Sequence, residues 1–556
     1  MTVREILKSY DEITIGEEVA GRGIFFKLFD KNFFFMAPEE NDLASTASIA
    51  LYNDELLDYP HVILREQTLC DDKFLPAGTY RGICLFEQDS IVNSLLTYEQ
   101  KIFDTIDRLI ELLSMSAPER EREFQKEFLY YWNCKSNHSN IYTAYLKQDD
   151  EFAELDIYYN CHNTRLVEKG EFLADLDYLN DGKRNWIQQV DTSAYFIPII
   201  DGRGILPPHR GYDWGEKEIL DIIYGKQIEH ISQDSFQKIK TVHPNTQKII
   251  LLFGLKTDAT NVVFALSLKC NNSNDHSLLE KVLYDIVDID VLYTQRQDYL
   301  YLCSQIGNDI GLIQKRILLV GAGSLGSYVA FELVKNGFKN IKIYDGDELE
   351  KENVLRWAYG GIGLGSNKAS TVSILLNMLH PEINVQYCAN NLDVLTLLEE
   401  MSNFDMVIFT IGSSDEQLSF NRALKKAGCS IPVLYVWLEA GGIYSHILYV
   451  DYKKEGCFEC LYTNKDGEKT NNRSAKNNYL DSEAAMVRNG CGGTRAAYGT
   501  AILLRTVAAL LEIIREVYAN GINRNTLFDI SPISLVVSDI EFPLGACGCC
   551  GNKIKQ

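Results

Sequence analysis

The sequence predicts a multidomain α/β protein whose C-terminal part folds around a Rossmann-like, nucleotide-binding sheet. Three observations predict it. The apolar run Arg316-Ile317-Leu318-Leu319-Val320 leads directly into Gly321-Ala322-Gly323-Ser324-Leu325-Gly326 and then into an apolar helical segment from Ser327 to Lys335. A second apolar run, Ile341-Lys342-Ile343-Tyr344, ends in Asp345, at the spacing of about 20 residues that suits a ribose hydroxyl. The 556 residues, 46% of them hydrophobic, suffice for several cores of ordinary domain size.

The strand, turn and helix order gives each glycine a task. Gly321 permits the tight turn, and Gly323 lets backbone approach phosphate without a Cβ. Gly326 completes the fingerprint at the start of a helix whose unpaired N–H groups and positive dipole end attract anions. Read alone, this fingerprint describes an NAD-dependent oxidoreductase, which would stop at Asp345. Here the signal continues through Asp345-Gly346-Asp347-Glu348-Leu349-Glu350-Lys351-Glu352-Asn353-Val354-Leu355-Arg356 and Gly365-Ser366-Asn367-Lys368-Ala369.

That continuation resembles the signature of the ThiF/MoeB/ubiquitin-activating enzyme superfamily, over roughly residues 300 to 550. The resemblance implies adenylation of a protein C-terminus: a carboxylate attacks the α-phosphate of ATP and pyrophosphate leaves. Arg356 and Lys368 would then neutralise the charge that builds on phosphate oxygens. Asp345 would hold the ribose, Asp347 would lie near the phosphates, and Asn353 would belong to the ATP site. The family also places an aspartate for Mg2+ just after the strand that reads Asp405-Met406-Val407-Ile408-Phe409-Thr410. In this chain the acid comes about three positions late, as Asp415, for which a helix N-cap is the alternative role.

Two C-x-x-C pairs, Cys457-Phe458-Glu459-Cys460 and Cys547-Gly548-Cys549-Cys550, carry a second signal. Two such turns present four thiolates, which fill a tetrahedral Zn2+ and leave no open position, so the site is structural. By spacing the ligands are Cys457, Cys460, Cys547 and Cys550, with Cys549 the spare. The rival reading, a redox dithiol, needs a helix after the first cysteine, and Leu461 to Gly467 has loop composition. Between the two pairs lies Asn489-Gly490-Cys491-Gly492-Gly493-Thr494, ahead of a long apolar helix. A cysteine in a glycine-rich turn at a helix start is favoured as thiolate. In the resembling family such a cysteine takes the activated carrier as a thioester, which makes Cys491 the transthiolation candidate, against the commoner role of a free cysteine as a small buried hydrophobe.

The chain before residue 300 is long enough for two further units. The expected division is 1–134, 135–300 and 301–556. Strand-like segments at Gly23 to Leu28, Asn32 to Met36 and Ala47 to Tyr52 precede Tyr59-Pro60-His61-Val62, Tyr80-Arg81-Gly82-Ile83-Cys84-Leu85-Phe86 and a helix from Tyr98 to Ser114. This order resembles an α+β ubiquitin-conjugating domain, and the resemblance makes Cys84 the conjugating candidate. No His-Pro-Asn triplet is present. Cys70 stands closer to the usual spacing from His61, and both cysteines are open to a core role. The middle unit mixes strands at Ala194 to Ile200 and Lys248 to Gly254 with acidic loops; it carries no catalytic constellation and is expected to be an α/β linker domain.

No apolar run reaches membrane-span length, and the N-terminus lacks a signal-peptide core, so a cytoplasmic location is expected. Fourteen cysteines then mean thiols and metal ligands rather than disulfides, and a formal charge of −23 disfavours nucleic acid as the main partner. The combined expectation is a fused activating and conjugating enzyme, using ATP, Mg2+ and Zn2+. Cys491 would take the adenylated C-terminus and Cys84 would pass it to a target amine. The order is similar to that of bacterial ubiquitin-transfer-like proteins of antiphage cyclic-oligonucleotide signalling, which implies a cGAS-like nucleotidyltransferase partner, a ubiquitin-like carrier being the other substrate class, and a homodimer. Two alternatives stand beside it, a sulfur-carrier adenylyltransferase and a nucleotide-binding scaffold.

Overall fold

The structure is a computed structural model. It describes the chain except residues 20–22, 40–41, 43, 54–61, 67–79, 87–92, 161–162, 171–185, 210–211, 226–227, 272–274, 477–485, 490–492, 532–534, 538–548 and 550–556. The described residues form two compact units, those from 1 to 170 with those from 186 to 297, and those from 298 onward. No helix among the described residues is long and apolar enough to cross a membrane.

The first unit begins with six antiparallel strands, β1 (Ile13–Val19), β2 (Gly23–Leu28), β3 (Lys31–Met36), β4 (Ser48–Tyr52), β5 (Val62–Glu66) and β6 (Tyr80–Ile83), in the order β1-β2-β3-β4-β6-β5. Strand alternation sends Phe33, Phe35, Ile49 and Leu51 to one face, where Ile102, Ile106, Leu109 and Leu112 of the Tyr98–Ser114 helix cover them. That helix starts on a reciprocal capping box between Thr97 and Gln100. The opposite face carries an aromatic cluster of Phe25, Phe34, Tyr52 and Tyr80, with neighbouring ring centroids 4.7 to 5.9 Å apart.

The second sheet of this unit is a ring. Its strands are β7 (Asn137–Tyr145), β8 (Ala153–Asn160), β9 (Asn163–Glu168), β10 (Ile187–Gln188), β11 (Thr192–Ile199), β12 (Lys248–Lys256), β13 (Asn261–Cys270) and β14 (Ile286–Arg296). The order β10-β8-β11-β12-β13-β14-β7-β9 is completed by a β8 to β9 pairing, so seven strands close on themselves and β10 flanks β8. Closure explains why β11 and β12 are apolar along almost their whole length. Phe196, Ile250, Leu252 and Ala265 fill the interior, while Ile197, Leu251, Phe253 and Phe264 point outward under helices that supply Phe128, Trp132, Ile219 and Ile239. The α/β linker expected here is thus a small, packed barrel with helices on its outside. Phe128 and Trp132 lie on the Phe128–Lys135 helix, so the expected boundary at residue 134 falls within an element that packs on the barrel.

The second unit has an eight-stranded sheet. Its members are β15 (Arg316–Val320), β16 (Asn340–Tyr344), β17 (Asn384–Cys388), β18 (Met406–Phe409), β19 (Val433–Leu438), β20 (Ser445–Val450), β23 (Thr526–Ile530) and β24 (Leu535–Val537), and β21 (Met486–Asn489) pairs separately with β22 (Gly493–Ala496). The order β17-β16-β15-β18-β19 is parallel, and β20, β23 and β24 extend it antiparallel. Strand order reverses at β15, with β16 on one side and β18 on the other. This is the switch point of a doubly wound sheet, where the carboxyl ends of the strands leave a crevice.

Phe264 sits at the centre of the barrel's outer aromatic core, with ring centroids 4.5 Å from Trp132, 4.8 Å from Phe128, 5.2 Å from Trp214 and 5.4 Å from Phe253. Phe264→Ala is expected to destabilise the first unit by about 3 to 5 kcal/mol. Urea unfolding followed by tryptophan fluorescence measures it, and an unchanged midpoint would contradict this packing.

Candidate functional site

The crevice begins at the glycine turn. Gly321 has φ +100, and a Cβ there would meet Thr410 Oγ1 and Ile411 Cγ2 at 3.0 Å, so β15 leaves the sheet against the end of β18. A Cβ on Gly326 would lie 2.0 Å from the Gly321 carbonyl oxygen, which is why the Ser324–Lys335 helix can start directly beneath the turn. Gly323 is the N-cap of that helix and faces open space. The turn therefore exposes backbone N–H groups and a helix N-terminus at the mouth of the crevice, the arrangement that binds phosphate.

Asp345, at the end of β16, organises the opposite wall. Its Oδ2 accepts from Ala322 N at 2.7 Å and its Oδ1 from Asp347 N at 2.9 Å. Asn367 Nδ2 donates to the Asp345 carbonyl at 2.8 Å, while Asn367 Oδ1 caps the Lys368–Asn377 helix through Ser370 N at 2.9 Å. Burial pushes the Asp345 carboxyl above its ordinary value, while those two backbone N–H groups and Lys368 pull it back. The Lys368 ammonium is largely buried and bonds Asp347 Oδ2 at 2.9 Å.

Two adjoining clefts share Gly323, Asp347, Lys368, Thr410, Ile411 and Gly412. The smaller, about 290 Å³, is lined by Gly321, Asp345, Asn391, Leu392 and Glu416. The larger, about 620 Å³, contains Asn353, Arg356 and Gln417 together with Trp437, Tyr462 and Tyr498. Arg356 Nη2 donates to Asn353 Oδ1 at 3.0 Å, its guanidinium lies 5.4 Å from the centroid of the Tyr498 ring, and its buried Nε has no hydrogen-bond partner among the described residues. Lys368 stands where the clefts meet. The Asp345 side is thus polar, the other side is walled by aromatic rings, and the Lys368 cation stands at the junction.

The structure thus brings Gly321, Gly323, Asp345, Asp347, Asn353, Arg356 and Lys368 to one connected crevice, with Gly326 beneath its floor. Asp415 is exposed in the first turn of the Ser414–Lys426 helix and lines neither cleft. Its alternative role as N-cap belongs to Ser413, whose Oγ accepts from Glu416 N at 3.3 Å. Glu416 and Gln417 line the crevice instead, and sequence reading missed both because it searched only for an aspartate. The helical start after β18 holds the usable signal, since it makes these neighbours project in different directions.

Of the cysteine candidates, Cys491, Cys547 and Cys550 lie outside the described residues, as do Cys70 and His61. Cys84 is exposed, just beyond the end of β6, with Sγ 3.6 Å from the Phe86 carbonyl oxygen. Cys457 and Cys460 are buried around the short helical turn Phe458–Tyr462. Asn421, also buried, directs Nδ2 to Cys457 Sγ at 3.6 Å and to Cys549 Sγ at 3.4 Å, while its Oδ1 accepts from Phe458 N at 3.1 Å. Cys549, the spare by spacing, therefore shares an amide donor with Cys457. Arg422 grips Glu459 through two bonds of 2.7 and 2.9 Å. No group of three or more His, Cys, Asp or Glu side chains suited to a metal ion occurs among the described residues.

Residues 309–549 match the profile of the ThiF family. The chain is 22% identical over 163 residues to ubiquitin-like modifier-activating enzyme 5 of Caenorhabditis elegans, covering 27% of this chain and 38% of that protein. It is 24% identical over 162 residues to the Xenopus laevis enzyme of the same name, covering 26% and 39%, and 26% identical over 250 residues to the uncharacterized protein y4oA of Sinorhizobium fredii, covering 41% and 39%. The chain spans about two fifths of the length of these curated relatives. Among solved structures, E. coli MccB with SeMet MccA has a TM-score of 0.35 and 17% identity, covering 46% of this chain and 69% of MccB, and MccB with ATP has a TM-score of 0.34, 18% identity and coverage of 45% and 70%.

A carboxylate accepts a hydroxyl hydrogen bond most strongly when ionised, and the raised folded-state value of Asp345 means protonation sets in earlier on acidification than for an ordinary aspartate. ATP affinity, measured by titration calorimetry, is expected to fall as pH drops through that raised value. Asp345→Asn is expected to bind about tenfold more weakly at neutral pH, with this dependence flattened. Equal pH profiles for the two proteins would remove Asp345 from the nucleotide site.

Proposed function

We propose that this chain, whose residues 309–549 form a ThiF-family domain, adenylates the C-terminal carboxylate of a protein. One observation carries the reading: the glycine turn and helix N-terminus, Asp345, Lys368 and Arg356 meet along one crevice with a nucleoside-sized side and an aromatic side. A carboxylate oxygen bonds to the α-phosphorus of ATP, the bond to the β-phosphate oxygen breaks, and pyrophosphate departs. Lys368 and Arg356 stabilise the oxygens on which charge accumulates, and the aromatic wall keeps water from the mixed anhydride. Mg2+ would screen the triphosphate, and Asp347 and Glu416, acids that line the crevice, would hold it.

The finer steps rest on the residue pattern. The Cys491 thiolate attacks the acyl carbon and AMP leaves. Cys84 then takes the acyl group by thioester exchange, and a target amine displaces Cys84 to give an amide, its proton passing to solvent. The exposure of Cys84 suits a group that must meet a second protein. Zn2+ would be held by Cys457 and Cys460 with thiolates from the 547–550 turn, and the Asn421 amide donating to two sulfurs suits sulfurs that carry negative charge. A bacterial antiphage role, with a cGAS-like nucleotidyltransferase as the activated partner in the cytoplasm, belongs to the same reading.

A homodimer fits as well. Leu355 is 93% exposed, Ile362 59% and Leu364 54%, an apolar fringe on the segment that bears Arg356. A sulfur-carrier adenylyltransferase would use the same crevice without Cys84. The solvent-facing Asp415 favours one other reading, a nucleotide-binding scaffold that performs no chemistry.

Intact mass under non-reducing conditions, with ATP and magnesium and the chain co-expressed with its genomic neighbours, separates these readings. The expected result is a thiol-labile adduct that disappears in Cys491→Ala and accumulates in Cys84→Ala. Adenylate without a cysteine adduct would favour the sulfur-carrier reading, and absence of both adenylate and pyrophosphate exchange would favour the scaffold. Sedimentation is expected to give a dimer, and a monomer at all concentrations would reject that part.

A further inference from the structure

Gln417 is 3% exposed and lines the larger cleft one turn into the Ser414–Lys426 helix. Its Nε2 donates to the Ile411 carbonyl oxygen at 2.6 Å. A carbonyl oxygen only accepts, so this bond fixes which end of the amide is nitrogen and leaves Oε1 as the remaining acceptor. That oxygen is buried and has no hydrogen-bond partner among the described residues, a costly arrangement if nothing ever meets it. Terminal amide torsions are broad, so a small rotation suffices to present it to a bound molecule.

The chemistry of the expected ligands narrows what that molecule is. Triphosphate and carboxylate groups only accept hydrogen bonds, and both are drawn to Arg356 and Lys368. Ribose and base donors belong on the Asp345 side, in the cleft that Gln417 does not line. A donor on the aromatic side comes from the acyl substrate, whose first donor inward from its carboxylate is the N–H of the last peptide bond.

Building on the adenylation reading, we propose that Gln417 is a specificity-determining residue for that substrate, its Oε1 accepting the N–H of the last peptide bond and so selecting a peptidyl C-terminus over other carboxylates. Because a neutral amide accepts this N–H without adding charge beside the carboxylate, glutamate cannot replace it.

The test uses the full chain and two random hexapeptide pools, one ending in glycine and one in sarcosine, which lacks that N–H. ATP and pyrophosphate exchange by the wild type is expected to be about tenfold or more slower with the sarcosine pool, as for an analogue missing a recognised N–H. Gln417→Leu and Gln417→Glu are expected to treat both pools alike at the slow rate, with calorimetric affinity for MgATP within about twofold of wild type, since no nucleotide contact is removed. A variant that binds MgATP tenfold more weakly would assign the donor to the nucleotide or its hydrated magnesium and overturn the proposal. Undiminished discrimination in Gln417→Leu would overturn it too. A wild type that forms the cysteine adduct with a co-expressed protein yet exchanges with neither pool rejects recognition at the last residue alone, whereas failure of both assays rejects adenylation itself.

Discussion

Everything at the crevice depends on Asp345. Its carboxylate takes the Ala322 N–H from the glycine turn and the Asp347 N–H from the segment that follows, while its carbonyl takes the Asn367 amide that caps the next helix. One residue therefore fixes the turn to β16 and sets the start of the helix that delivers Lys368. A carboxylate that is partly desolvated and still held by backbone donors is a costly feature, offset locally by Lys368 and by those N–H groups. The burial that raises its proton affinity also strengthens any hydrogen bond it accepts from a ligand.

A second constraint runs along the Ser414–Lys426 helix. Its first turns, Ser414 and Gln417, line the crevice, and further along Asn421 and Arg422 hold the cysteine turn through Cys457 Sγ and Glu459, while Asn421 also reaches Cys549 Sγ. A helix rises about 1.5 Å per residue, so these tasks lie within roughly two turns of one rigid element. The order of the cysteine turn and the shape of the aromatic side are thereby mechanically joined.

Local spacing made the shared crevice largely legible in the sequence. Gly321, Gly323, Asp345 and Lys368 fall together along it because strand, turn and helix follow one another without long-range help. Asp415 could not be resolved that way. Which of several consecutive residues faces a cleft depends on the phase of a helix against its sheet, and Ser413 capping sets that phase so that Glu416 and Gln417 turn inward. Spacing likewise made Cys549 the spare, whereas its contact with Asn421 is made by tertiary packing. The segments Gly23 to Leu28 and Tyr98 to Ser114 were readable from their period, but barrel closure was not. Strands buried on both faces have the same apolar look whether a sheet is open or closed, and closure rests on the pairing of β7 with β14, which lie far apart in the sequence.

Such a ring has a consequence for how the chain matures. Trp132 donates to the carbonyl of Leu292, 160 residues further along, and β7 finds one of its two neighbours only in β14. Among the described residues, the core of the six-stranded sheet and its helix is built from residues up to Met115, so they are free to settle early in synthesis, N-terminal units folding first. The barrel cannot close until Arg296 has been made, which exposes its apolar strands for most of that interval and makes its completion the slow, long-range step. The next strand to leave the ribosome is β15, so the second unit begins to fold just as the barrel shuts.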